Sequence, residues 1–115
     1  MKEKRTCKMY FDDILMAIDR ILEYTQDFDF VSFKHDYKTV DAVIRNFEII
    51  GEAAKNIPDE IKTLHPNVPW VEMYSLRNRI SHAYFGIDYE IIWDIITNSL
   101  SENRIQIEQI RKEIY

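Results

Sequence analysis

Apolar residues recur every three or four positions along most of the chain, which is the spacing of one face of an α-helix. The first such stripe predicts a helix over residues 6–26, whose buried side is formed by Tyr10, Ile14, Leu15, Ile18, Ile21, Leu22 and Thr25. Most of the acidic residues in this segment fall on the opposite side. Residues 28–33 then form a dense apolar connector, which we expect to contain one short helical turn and to cover an end of a bundle.

A second stripe predicts a helix over residues 36–56, with a buried side made of Val40, Val43, Ile44, Phe47, Ile50, Gly51 and Ala54. A glycine costs about 1 kcal/mol relative to alanine in a helix interior. We therefore expect another helix to pack closely against Gly51. Pro58 then opens a short helix that runs to Leu64.

Two more helices complete the pattern. Pro69 suits the first helical position and Gly86 suits the position just past the end, so residues 69–85 form the third main helix. Asp88 is a suitable N-cap for the last helix, with Ile87 and Ile92 as a hydrophobic staple. The apolar rhythm continues to the C-terminus, which predicts a helix about 40 Å long. Its tail is expected to project and to pack against a partner.

The composition agrees with an all-α fold. A length of 115 residues predicts one domain, residues 1–115, with a single modest core. Only two glycines and three prolines leave little material for turns, which favours a few long helices over many strands. We therefore predict a bundle of four to five helices.

Charge and cysteine content limit the function classes. A net charge of −5 argues against tight, nonspecific binding to nucleic-acid backbone, but it leaves room for a small basic site. The lone Cys7 cannot form an internal disulfide, which favours a reducing cytoplasm. No apolar signal core or membrane span is predicted, because the longest apolar run, residues 91–96, is broken by Asp94.

A polar stripe also runs along the second helix. Its members, spaced as on one helical face, are Asp41, Arg45, Glu48 and Glu52. A solvated face with pairs between neighbouring turns explains this spacing. A site-lining or interface role, with Arg45 and Glu48 supporting a functional centre, is the alternative.

The candidate chemistry lies in residues 69–85, PWVEMYSLRNRISHAYF. On a helical wheel Met73, Ile80 and Ala83 cluster within about 60° of Leu76, and this side is predicted to be buried. Outward-pointing polar residues follow on the other side: Arg77, Asn78, Ser81 and His82. Arg77 and His82 lie about 140° apart, too far for easy convergence on one phosphate from one straight helix. The outward aromatic residues Tyr74 and Phe85 suggest an interface.

Two copies of this helix facing each other across a two-fold axis would bring the Arg of one copy near the His of the other. Such a cleft supports RNA cleavage without a metal. A neutral imidazole accepts the ribose 2′-OH proton, an imidazolium protonates the leaving 5′ oxygen, and Arg77 holds the phosphate. No clustered metal-ligand spacing occurs, so neither a metal nor another cofactor is predicted.

A purely structural interpretation of the same residues stays open. An Arg followed five positions later by a His arises by chance in roughly one shuffled chain of this composition in five. In that interpretation Arg77 forms a surface ion pair, His82 caps the helix end near Gly86, and Tyr84 is half-buried.

Several separated motifs together resemble the HEPN superfamily and, within it, the HepT family of toxin ribonucleases. These motifs are Arg77-Asn78-x3-His82-x-Tyr84, the preceding Pro69-Trp70, and Arg45-x2-Glu48-x2-Gly51-Glu52-Ala53-Ala54. The resemblance covers nearly the whole chain. It implies an up-and-down HEPN bundle, a homodimer and metal-independent endoribonuclease activity, with Arg77 and His82 as the catalytic pair and Asn78 as the polar residue that commonly follows the Arg.

The resemblance also implies a partner. HepT-like toxins of type VII toxin–antitoxin pairs are typically encoded beside a minimal nucleotidyltransferase antitoxin, MntA, which transfers AMP from ATP to the motif tyrosine, here Tyr84. The wheel places Tyr84 about 20° from Arg77 and two turns along. Added AMP would bring negative charge and bulk beside the phosphate-binding Arg, and would thus block RNA. Tyr84 as a simple core-edge aromatic is the alternative.

A different class of function also fits the acidic charge. In this alternative the chain is a noncatalytic adaptor, whose outward face and long last helix dock a minimal nucleotidyltransferase subunit. Cleavage of RNA by the free protein would separate the two hypotheses.

Overall fold

The computed structural model describes the backbone of residues 2–81 and 88–115, and the side chains of residues 7–76 and 88–115. These residues form seven helices and no strand: α1 (Lys2–Thr25), α2 (Phe30–His35), α3 (Tyr37–Asn56), α4 (Asp59–Leu64), α5 (Trp70–Ser81), α6 (Tyr89–Asn98) and α7 (Leu100–Ile114). The all-α prediction is confirmed. The predicted number of helices was too low, because the apolar connector forms a separate helix, α2, and the last helix is divided.

The centre of the fold is the contact between α1 and α3. Most members of both predicted stripes are buried there, and the partly buried ones are Tyr10, Leu15, Leu22 and Ile44. Ile14, Ile18 and Val43 are completely enclosed. Burial of each such side chain contributes about 1.5–3 kcal/mol, so these stripes dominate the stability of the pair. Asp36 caps α3 by accepting a hydrogen bond from the Thr39 amide at 3.2 Å, which fits the predicted start of this helix.

Two short helices lie in the connections between the long ones: α2 between α1 and α3, and α4 between α3 and α5. Asp29 begins α2 through a capping box with Ser32, and α2 buries Phe33 against the ring of Trp93, with the ring centroids 5.1 Å apart. The apolar connector therefore does cover part of the core. Between α4 and α5, the indole Nε1 of Trp70 donates to the His65 carbonyl at 3.0 Å, which fixes the turn that leads into α5.

The prediction of one continuous last helix was wrong. Asp88 is the N-cap, as expected, and accepts from the Ile91 amide at 3.1 Å. The helix then breaks at Ser99, whose φ of −124° departs from helical values. The apolar rhythm continues across the break without a gap in the sequence, which explains why the pattern alone did not reveal it.

The C-terminal tail does not project from the bundle. Helix α7 packs along α1, where Ile107 and Ile110 are buried. Arg104 pairs with Asp19 and Arg111 pairs with Asp12 across the same contact. The prediction of a tail that waits for a partner is thus corrected, because α1 already covers its apolar face. Within the described residues, no helix is both long enough and apolar enough to cross a membrane.

Candidate active site

Helix α5 carries the first half of the polar motif. It begins at Trp70, one residue later than predicted, since the carbonyl of Pro69 accepts the first helical hydrogen bond from the Met73 amide at 2.9 Å. Trp70 is buried beside the turn described above. This anchor sets the position of α5, and therefore the direction in which its outward residues lie.

The described side chains confirm the predicted core side of α5 for Met73 and Leu76, whereas the side chains of Ile80 and Ala83 lie outside the described residues. Met73 and Leu76 are buried, whereas Val71 and Tyr74 are exposed. Residues 77, 78 and 81 are helical as well. The helical period places all three positions within about 60° of Tyr74, on the side of α5 that faces away from the core. That Arg77, Asn78 and Ser81 form one outward face stays a prediction, because their side chains lie outside the described residues.

The second half of the motif lies outside the described residues. This concerns His82 and Tyr84, together with Phe85 and Gly86. The side chains of Arg77, Asn78 and Ser81 are also outside the description. The convergence of Arg77 and His82 on one phosphate, and the placement of Tyr84 beside Arg77, therefore stay predictions.

The polar stripe of α3 is solvent-exposed and partly paired. Arg45 and Glu48 approach to 3.9 Å across one helical turn, as the solvated-face interpretation expects. Three of its four members, without Asp41, also line a shallow cavity of about 190 Å³ together with Tyr10, Asp13, Ile49 and Ala53. No hydrogen bond or ion pair joins Arg45 or Glu48 to a described side chain of α5. Their supporting role stays a prediction.

A second cavity, of about 220 Å³, lies beside α5. Its floor includes Phe47, Met73 and Leu76, and its rim carries the polar side chains of Asp94 and Asn103. The cavity has walls from several helices, so no single stretch of sequence signals it.

Tyr74 has a partner that sequence reasoning missed. The ammonium nitrogen of Lys62 in α4 lies 5.3 Å from the centroid of the Tyr74 ring, within the range of a cation–π interaction. Tyr74 itself was predicted as an outward aromatic. The contact depends on the turn between α4 and α5, and the spacing of twelve residues gives no periodic signal for it.

No group of three or more His, Cys, Asp or Glu side chains is placed to hold a metal ion in the described part of the chain. A helix face that carries an arginine, two small polar residues and an exposed aromatic residue, as predicted for α5, can hold a phosphate and a stacked base.

Comparison with known proteins assigns the family. The family model described as "Ribonuclease HepT-like" matches residues 14–110, a span that includes α5 and the whole polar motif. A relative in Thermococcus cleftensis, named "Probable ribonuclease HepT", is 45% identical over 109 residues, which cover 95% of this chain and 99% of the relative. A relative in Methanocaldococcus jannaschii, whose name marks it as a candidate RNase, is 44% identical over 96% of this chain and 92% of its own length.

No solved structure matches the chain. The match to the family model covers well over half of the sequence, and both relatives align over nearly their full lengths. These similarities establish that the chain belongs to the HepT-like ribonuclease family.

Proposed function

We propose that this protein is an endoribonuclease that cleaves RNA without a metal ion, with Arg77 and His82 as its catalytic residues. The observation that carries the proposal is the match of residues 14–110, which include Arg77 in α5 and His82, to the ribonuclease family model. Asn78 and Ser81 lie on the same helix as Arg77 and are proposed to support the site by hydrogen bonding. Arg45 and Glu48 of the α3 stripe are further supporting residues.

The proposed reaction needs one base, one acid and one phosphate ligand. A neutral imidazole of His82 takes the proton of the ribose 2′-OH, and the 2′ oxygen attacks the adjacent phosphorus. The bond to the 5′ oxygen breaks, and an imidazolium protonates this leaving oxygen, which yields a 2′,3′-cyclic phosphate and a free 5′-OH. Arg77 holds the phosphate and stabilises the charge of the transition state.

The site is proposed to form between two copies of the chain. Helical geometry separates positions 77 and 82 by about 140°, so a single α5 does not easily direct both at one phosphate. A two-fold pair of α5 helices supplies an Arg from one copy and a His from the other. It also supplies two histidines, which titrate as a coupled pair with one neutral and one charged member.

Cleavage of RNA by the purified protein in EDTA tests the proposal. We expect His82→Ala and Arg77→Ala to abolish cleavage while the circular dichroism spectrum and the dimer are retained. His35→Ala and Arg20→Ala are the matched controls, because both residues are exposed on other helices, α2 and α1. Cleavage that survives both motif substitutions would remove Arg77 and His82 from the reaction.

We further propose that the protein is the toxin of a type VII toxin–antitoxin pair. The partner is a minimal nucleotidyltransferase, related to MntA, that transfers AMP from ATP to the Tyr84 hydroxyl and releases pyrophosphate. The added phosphate would repel the RNA backbone next to Arg77. Incubation with the partner and ATP should add AMP units to the wild type but not to Tyr84→Phe, as read by peptide mass spectrometry. Modification at another residue only would contradict the assignment.

A noncatalytic adaptor that docks a nucleotidyltransferase is the second candidate function. The net charge of −5 favours it, because bulk attraction to RNA is weak. A stable complex with the nucleotidyltransferase, combined with no cleavage by the free protein, would support this role over that of a ribonuclease.

A further inference from the structure

We propose that Tyr74 and Lys62 form a binding subsite for single-stranded RNA beside the Arg77 position, with the ring stacking on a base and the ammonium group contacting a phosphate. The inference rests on the proposed ribonuclease function and deepens it. The pair is visible in the structure, where Lys62 Nζ lies 5.3 Å from the centroid of the Tyr74 ring. Tyr74 is 39% exposed, so part of its side chain is open to a ligand.

The subsite is adjacent to the motif. Residues 77 and 78 follow Tyr74 by three and four positions on α5, and positions with this spacing are neighbours on a helix surface, about 5–6 Å apart between Cβ atoms. Residue 81 follows on the same side, two turns along. An RNA strand that is bound at the motif and extends along α5 toward its N-terminus would therefore contact Tyr74.

The charge of Lys62 is available to a phosphate. Its Nζ donates to the Lys55 carbonyl at 3.4 Å, which holds the side chain near Tyr74. Across the side chains of residues 7–76 and 88–115, no carboxylate lies within 4.0 Å of this nitrogen, since every ion pair found there involves another cation. Although the chain carries a net charge of −5, the Lys62 ammonium group therefore stands beside an aromatic ring without an ion-pair partner among these side chains.

This combination suits single-stranded nucleic acid. Proteins that bind single strands join basic groups, which follow the backbone, to aromatic rings on which bases stack, and every base has a face that can stack. The subsite would thus hold RNA with little base preference.

RNA fits the pair better than a second copy of this chain does. Val71 and Leu64 are exposed apolar neighbours in sequence and would suit a protein interface. A covering protein surface would, however, strip water from the Lys62 ammonium, and this is costly without a compensating negative charge. A phosphate supplies that charge directly.

Binding of a fluorescent, single-stranded 2′-O-methyl oligonucleotide tests the proposal, because this probe lacks the attacking 2′-OH and is not cleaved. The full chain is titrated by fluorescence anisotropy. We expect Tyr74→Ala to raise Kd about 5- to 150-fold, and Tyr74→Phe to leave it within about twofold, since the phenyl ring still stacks. Lys62→Met should reduce the slope of log K against log salt by about 0.7, the value for one phosphate contact on a single strand.

Matched controls come from other helices. Tyr24→Ala removes a tyrosine of the same 39% exposure from α1, and Lys38→Met removes an exposed lysine from α3. Both should leave Kd and the salt slope unchanged. Tyr74→Leu keeps an apolar side chain without the aromatic face, and it gives a second measurement if the alanine variant unfolds.

Three results would overturn the subsite. The first is no binding of the probe by the wild type, and the second is equal Kd values for Tyr74→Ala and Tyr24→Ala. The third is a loss of RNA binding that follows loss of the dimer in sedimentation, which would make this surface a contact between copies. The ribonuclease proposal fails separately, if the wild type binds the probe through Tyr74 but cleaves no RNA.

Discussion

Gly51 of α3 lies directly against the backbone of Met73 in α5: a Cβ atom added to Gly51 would be 3.2 Å from the Met73 carbonyl oxygen and 3.6 Å from the Cα of Tyr74. The 3.2 Å distance to the Met73 carbonyl oxygen is shorter than an ordinary van der Waals contact. Because Gly51 has no side chain, the backbones of α3 and α5 can pack closely at Met73 and Tyr74. The contact links a helix-interior glycine to the placement of the proposed site.

Substitution of this glycine should disturb both stability and activity. In Gly51→Val the branched side chain would push against the α5 backbone, and overpacking of this kind typically costs about 1–3 kcal/mol. We expect a lower free energy of unfolding in urea and slower RNA cleavage. Glu52→Val places the same residue at the exposed neighbouring position of α3 and is the control. Equal unfolding free energies for the two variants would show that the close approach has no energetic importance.

Leu76 should be a second apolar anchor of the motif helix, besides Trp70. It is 4% exposed, whereas Val71 on the same helix is 58% exposed. Truncation of a buried leucine costs about 2–5 kcal/mol, because apolar contacts are lost and a cavity remains. We expect Leu76→Ala to lower the urea midpoint strongly, while Val71→Ala changes the unfolding free energy by less than about 0.5 kcal/mol. Similar losses in both variants would contradict this account of how α5 is held.

A mixing experiment distinguishes a shared site from two independent sites. Wild-type protein is exchanged with the Arg77→Ala/His82→Ala double variant at concentrations where all chains are dimeric. If each site takes Arg77 from one copy and His82 from the other, mixed dimers are inactive. Cleavage then falls with the square of the wild-type fraction, because both copies must be intact. A linear decrease would place both catalytic residues of a site in the same chain.

Stability should depend on acid pH through the ion pairs that Glu108 makes within α7. Arg104 donates to Glu108 and, together with Lys112, lowers the pKa of this carboxyl group below its ordinary value of 4.5. The folded state therefore favours the ionised form. This contribution is fully present above pH 4.5 and is lost as the pH falls through the lowered pKa. The effect should be modest, because Glu108 is partly exposed to solvent.

Urea unfolding at several pH values measures this contribution. The difference in unfolding free energy between the wild type and Glu108→Gln should be largest near pH 6 and should shrink toward pH 3. A difference that stays constant over this range would exclude ionised Glu108 as its source.

The sequence by itself determined which segments are helical and which side of each is buried. The stripes through Ile14 and Val43 repeat at the helical period, and burying them in one core leaves only one orientation for each helix. The same logic placed Leu76 inward on α5. Cap residues such as Asp88 were predictable as well, because a carboxylate satisfies amides of its own helix a few residues away.

Only the tertiary structure decided the features that depend on residues distant in sequence. After the break at Ser99, α7 packs along α1, where Asp19 and Arg104 pair across 85 positions of the chain. Lys62 meets Tyr74 because the turn after α4 brings two helices together. The physical reason is that the spacing of apolar residues indicates only on which side of its own helix a residue lies. Which surface that face then meets depends on the packing of all the helices at once.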